Sequence, residues 1–139
     1  DQDGEKKHPY IIHCGVFGCY ERMMALILEK YAGALPLWIS PTQVKIMSLT
    51  DRTSDDAKKL ALRLREQGIR CEVDVRNEKI GYKIREAQLE KVPYMIILGD
   101  KEKENEVVAV RSRNAGDLGT MTEKEFVDKL TKEITEKVC

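Results

Sequence analysis

The polar residues best suited to chemistry stand where one local pattern gives way to another. Arg76-Asn77-Glu78-Lys79 follows an alternating stretch, Lys91 comes just before a proline, Asp100-Lys101-Glu102 follows an apolar run, and Arg111 and Arg113 alternate within VAVRSR. Asparagine presents a donor and an acceptor side by side. Arginine forks onto guanine O6 and N7, and glutamate accepts from exocyclic or ring N–H groups. Unstacked bases of a single-stranded loop expose such edges, which a helix hides. Taken by themselves, the same residues also suit the solvated ends of ordinary elements.

Other chemistries find less support. The chain has no Walker loop, GxGxxG, HExxH or nucleophile elbow. His8 and His13 are its only histidines, and neither lies in a Ser/His/Asp or Cys/His relay. A lone histidine in an apolar run, as His13 is, ordinarily has a structural role. The four cysteines, Cys14, Cys19, Cys71 and Cys139, form no CxxC. His13, Cys14 and Cys19 are close enough in sequence for a metal or thiol site to be considered, but reduced, scattered thiols are the simpler expectation. An enzyme complete within 139 residues is not expected.

Composition sets the frame. With 42% hydrophobic and 35% charged residues, the chain reads as a soluble globular protein of one domain's length. No apolar run reaches the roughly 18 residues of a membrane span, and the polar N-terminus is unlike a signal peptide, so a cytoplasmic location and no membrane partner are expected. Lys+Arg and Asp+Glu both number 24, so nucleic-acid binding must rest on local patches and specific contacts.

The elements that would position the polar groups follow from periodicity. Residues 10–17, YIIHCGVF, predict a buried strand. Tyr20, Met23, Met24, Ile27, Leu28 and Tyr31 mark an amphipathic helix that Gly33 stops. The stretch 33–42, with two prolines, reads as a linker and the best domain boundary. Gln43–Leu49 predicts a strand. Thr53 and Asp56 open a helix with an apolar stripe at Ala57, Leu60, Ala61 and Leu64. Ile69–Val75 alternates as a half-buried strand, with Arg70, Glu72 and Asp74 on its solvent side. Asn77 caps a helix to about Lys91, Tyr94–Leu98 is an apolar strand, and Val107–Arg113 is another strand after a charged loop. Asn114–Gly119 reads as a loop, and Thr122 with Glu125 opens a last helix lined by Phe126, Leu130, Ile134 and Val138. Strands and helices in alternation predict an α/β fold with a mainly parallel sheet. Asn77 and Glu102 then both follow carboxyl ends of strands, where ligands of such sheets gather.

Several of these strings resemble threonyl-tRNA synthetases of the bacterial type: NEKIGYKIR at 77–85, VPYMIILGDKE at 92–102, VAVRSR at 108–113, AGALPLWISPTQVKI at 32–46 and DLGTM at 117–121. The resemblance covers essentially the whole chain. It implies a class IIa anticodon-binding domain over residues 36–139, with a five-stranded mixed sheet and three helices around it. The positions matching the family's base-reading residues are Asn77, Lys91, Glu102 and Arg111, and the partner implied is the anticodon loop of a threonine tRNA rather than DNA. Lys91 stands where the family often has arginine, which keeps the charge and loses the planar fork.

Residues 1–35 resemble the end of a class II catalytic domain, with IIHCGVFGCYERM matching the third signature motif. The resemblance implies that, in the intact enzyme, His13 is a zinc ligand and Arg22 contacts ATP, with magnesium. Cys14, Cys19 and Met23 depart from the family's usual arginine, small residue and phenylalanine. One histidine cannot make a zinc site that needs at least three protein ligands, so the chain alone, without cofactor, is expected to bind tRNA but not to aminoacylate. The helix would expose its apolar face and must fold back on the domain, self-associate or be loosely held, and the intact enzyme is implied to be a homodimer. A stand-alone RNA- or protein-interaction module without catalysis is the alternative.

Overall fold

Two strands covered on both faces form the centre of a sheet. In the computed structural model, which describes residues 2–16 and 18–139, β1 (Val44–Ser48) is buried at every position and β3 (Tyr94–Leu98) at all but Ile97. β2 (Cys71–Asp74), β4 (Val107–Ser112) and β5 (Gly116–Thr122) complete the order β2-β1-β3-β4-β5. β1 runs parallel to β2 and β3, whereas β4 is antiparallel to β3 and β5 to β4. The sheet is five-stranded and mixed, and its parallel and antiparallel pairings are equal in number. β5 accounts for that balance. The pattern had placed a loop at 114–119, because Gly116 and Gly119 interrupt the alternation and both adopt positive φ.

Helices cover both faces. α2 (Ser54–Glu66) and α5 (Glu123–Thr135) pack on one side, where Ala57, Leu60, Ala61 and Leu64 meet Phe126, Leu130, Ile46 and Ile96 in the larger core. Tyr94 adds an edge-on contact to Phe126, with ring centroids 5.9 Å apart. α3 (Ile80–Leu89) covers the other face over a smaller cluster of Met47, Ala87, Val92 and Met95. α5 begins at the predicted capping box: Glu125 N–H donates to Thr122 Oγ1 and Thr122 N–H to Glu125 Oε2.

Several local expectations change. The N-cap of α3 is Lys79, not Asn77, which lies in the preceding loop. Thr53 does precede α2, but its hydroxyl donates to the carbonyls of Thr50 and Leu98 instead of capping the helix. Asp100–Glu104, read as a turn and charged loop, forms a short helix, α4. Val138 is exposed and does not line α5's buried face. Asp74 is buried, not solvated, for a reason given below.

The N-terminal region departs most. Among the described residues 10–16 no strand forms, and Phe17, the end of the predicted strand, lies outside the described residues. A strand needs a partner ladder, and Tyr10, Ile11 and Ile12 face solvent instead. α1 (Tyr20–Tyr31) forms as predicted but has no buried residue. It ends on Ala32 and Gly33, both at positive φ, with Gly33 N–H donating to Leu28 O. The segment beyond is anchored by the turn Leu37–Ile39, whose Leu37 enters the larger core.

Phe126 is fully buried at the centre of that core. Phe126→Ala is expected to cost about 3–5 kcal/mol, read as a lower urea midpoint with an unchanged slope.

Candidate nucleic-acid interface

The loop that carries Asn77 is built on a buried charge. Lys83 sits in the apolar stripe of α3 and is fully buried. Its ammonium donates to Ser48 O at 2.9 Å and Asp74 O at 3.4 Å, and lies 4.0 Å from the Asp74 carboxylate. A buried ammonium requires such partners, which is why Asp74 turns inward from a strand position that alternation assigns to solvent. Arg76 closes the cluster from outside, its guanidinium forking onto both Asp74 oxygens at 3.0 and 2.6 Å and reaching Glu86. Arg76, grouped by sequence with the candidate base readers, is therefore engaged in structure. The fork holds the Asp74 carboxyl below the ordinary aspartate range, and Arg76 does the same to Glu86. Asn77 follows, exposed, with no side-chain partner among the described residues.

Glu102 lies beyond the carboxyl end of β3. Its Oε2 accepts the Gly99 N–H at 3.1 Å, closing the first turn of α4. It lines a cavity of about 490 Å³ with Leu60, Leu98, Val108 and the pairs Arg63–Glu123 and Lys103–Asp56. Arg111 stands on the other face of the sheet, opposite Met95 of β3 and Asp117 of β5. A register shift between Ala109 and Arg111 marks an irregularity of the strand just before it. Asp117 accepts instead from Gly119 N–H, and no hydrogen bond or ion pair among the described residues holds the Arg111 guanidinium. Met95–Leu98 separates Arg111 from Glu102 along the sheet, a span of roughly 10 Å at the usual rise per residue. Asn77, Glu102 and Arg111 are thus not gathered in one place on the sheet. Asn77 and Glu102 mark the carboxyl ends of β2 and β3, and Arg111 lies toward the far end of the α3 side.

Lys91 and Arg113 occupy that far end. Lys91 has positive φ, and its ammonium donates to Ala32 O at the end of α1. Arg113, expected to alternate with Arg111, lies just past β4. It donates to Lys91 O at 2.6 Å, Leu35 O at 3.1 Å and Ala34 O at 3.3 Å. Burial lowers its pKa. Arg113 is a junction residue, binding backbone that water cannot fully solvate.

His13 and Arg22 are exposed. Among the described residues no group of three or more His, Cys, Asp or Glu side chains is placed to hold a metal. All four cysteines are free thiols. Arg22 lies on α1, with its side chain facing solvent. No helix among the described residues is long and apolar enough to cross a membrane.

The structure is thus a mixed five-stranded sheet with helices on both faces, with Asn77 exposed and Glu102 and Arg111 partly exposed. Residues 43–133 match the anticodon binding domain family, and the chain belongs to it. A threonine–tRNA ligase from Clostridium tetani is 58% identical over 99% of this chain, and one from Clostridium perfringens is 53% identical over 99%. The chain spans 21% of the length of each of those two relatives. The RNA-binding domain of a threonyl-tRNA synthetase from Cryptosporidium parvum superposes with a TM-score of 0.77 at 32% identity, covering 81% of this chain and 28% of that one. The chain is thus an anticodon-binding domain of the threonyl-tRNA synthetase type.

Asp74 yields a pH test. Its depressed folded pKa contributes stability above the ordinary aspartate value of about 3.9, and that contribution is lost as pH falls through the folded value. In urea unfolding from pH 6 down to pH 2, Asp74→Asn is expected to be less stable than the parent at the upper end, and the difference should shrink toward zero at the lower.

Proposed function

We propose that this chain reads the anticodon of a threonine tRNA as the anticodon-binding part of a threonine–tRNA ligase, with Asn77, Lys91, Glu102 and Arg111 as its base-reading residues. The observation that carries this reading is the Arg111 guanidinium, partly exposed on a strand of the sheet and without a partner among the described residues. A folded protein gains little by holding an unpaired arginine on a strand, whereas a base edge supplies the acceptors its fork requires. Asn77 is free in the same sense. Glu102 commits only Oε2 to its own helix and keeps Oε1 for an N–H of a base. Lys91, exposed, commits one N–H to Ala32 O and keeps two for RNA.

The chain alone binds tRNA and does not aminoacylate. His13 as a zinc ligand and Arg22 as an ATP contact, with magnesium, act only where the rest of a ligase completes their sites. The role in translation places the protein in the cytoplasm. The exposed apolar side chains of α1, Tyr20 and Met24 among them, favour self-association, and the intact ligase is a homodimer.

The test is binding of this chain to a threonine tRNA transcript beside one with two anticodon bases changed, at fixed salt. Clear preference for the native anticodon is expected. Equal or absent binding would sink the reading and favour an interaction module on the same fold. Arg111→Ala is expected to cost about 1–3 kcal/mol on the native transcript and far less on the altered one, and an equal loss on both would make it a phosphate contact. Glu102→Gln should reduce discrimination more than affinity, and an unchanged base preference would remove Glu102 from the site.

A further inference from the structure

We propose that Gly99 is a specificity-determining residue, one that positions the Glu102 carboxylate for base reading; this rests on the assignment of Glu102 to the anticodon site. The peptide joining Leu98 to Gly99 is fixed from its oxygen side. Leu98 O accepts from Leu49 N–H at 2.9 Å and from the buried Thr53 hydroxyl at 3.1 Å. A peptide unit is planar, so these two bonds also aim the Gly99 N–H. That N–H donates to Glu102 Oε2 at 3.1 Å. One oxygen of the carboxylate is thereby tied to the end of β3, and the other is left in a set direction.

The second contribution of Gly99 is the absence of a side chain. A Cβ at this position would lie 2.7 Å from Glu102 Oε2 and 3.1 Å from Leu49 Cδ2. Both are ends of flexible side chains, and Leu49 is half exposed. The backbone of Gly99, at φ −111° and ψ −177°, is ordinary extended chain that any residue adopts. An added methyl group therefore displaces the carboxylate while the strand and its hydrogen bonds stay in place. Glycine here holds open the position of a functional group and relieves no backbone strain.

The experiment compares the parent chain, Gly99→Ala, Glu102→Gln and the double variant, each titrated with the threonine tRNA transcript and the anticodon-altered one, with thermal unfolding alongside. Gly99→Ala is expected to unfold near the parent temperature and to lose about tenfold of the preference for the native anticodon. The double variant should be no less selective than Glu102→Gln, because both changes remove one interaction. If Glu102→Gln loses preference while Gly99→Ala keeps it, the positioning role falls and the base-reading assignment stands. If Gly99→Ala loses preference while Glu102→Gln keeps it, or if the two losses add, the effect does not pass through Glu102 and the proposal falls. A large drop in the unfolding temperature of Gly99→Ala also overturns it, since the carboxylate and not the fold must yield. No preference in the parent, or none lost in either variant, removes the base-reading assignment and the role of Gly99 with it.

Discussion

The buried Lys83 ammonium is the constraint around which the Asn77 side of the domain is arranged. It joins the end of β1 through Ser48 O, the end of β2 through Asp74 O, and α3 through its own backbone. The apolar cluster beneath α3 is small, four buried side chains with two partly buried isoleucines, and a helix so lightly packed gains orientation from directional polar contacts. An ion of this kind is costly to bury and costlier to leave unpaired. It selects one seating of α3 over sliding alternatives that would strand it. The β2–α3 loop inherits that definition, and Asn77 is presented from a loop whose two ends are both fixed.

The elements with a strong period were legible in the sequence. The stripe of α2, the apolar runs of β1 and β3 and the Thr122–Glu125 box of α5 each carry their own signal. β5 was not, because glycines at 116 and 119 erase alternation and its pairing is set by β4 across a tight turn. α4 was missed because five charged residues have no stripe, and its contacts are tertiary or capping ones, with Gly99 N–H at its start and Asp56 beside Lys103. The burial of Asp74 was hidden for a related reason. Lys83 looks like one more surface lysine unless its place in the 80, 83, 84, 87 stripe is weighed against the carboxylate across from it.

The candidate site was legible as residue types and not as a place. Asn77, Glu102 and Arg111 are exposed or partly exposed, as base readers must be, but the structure spreads them over both ends of the sheet. That distribution suits a loop whose bases are splayed apart, each met separately, better than a ligand held in one pocket. Two neighbours singled out with them, Arg76 and Arg113, prove to be structural. In sequence an arginine that reads and an arginine that braces look alike. What separates them is the presence of a carboxylate or a carbonyl within reach, and that is a tertiary fact.

Arg113 braces the junction between α1 and the sheet by gathering carbonyls from Ala34, Leu35 and Lys91, while Lys91 holds the last turn of α1. Residues 33–36 therefore do not behave as a free swivel, although their composition suggests one. α1 is therefore held in direction at its carboxyl end, while Tyr20, Met24 and Leu28 along its length stay open to solvent.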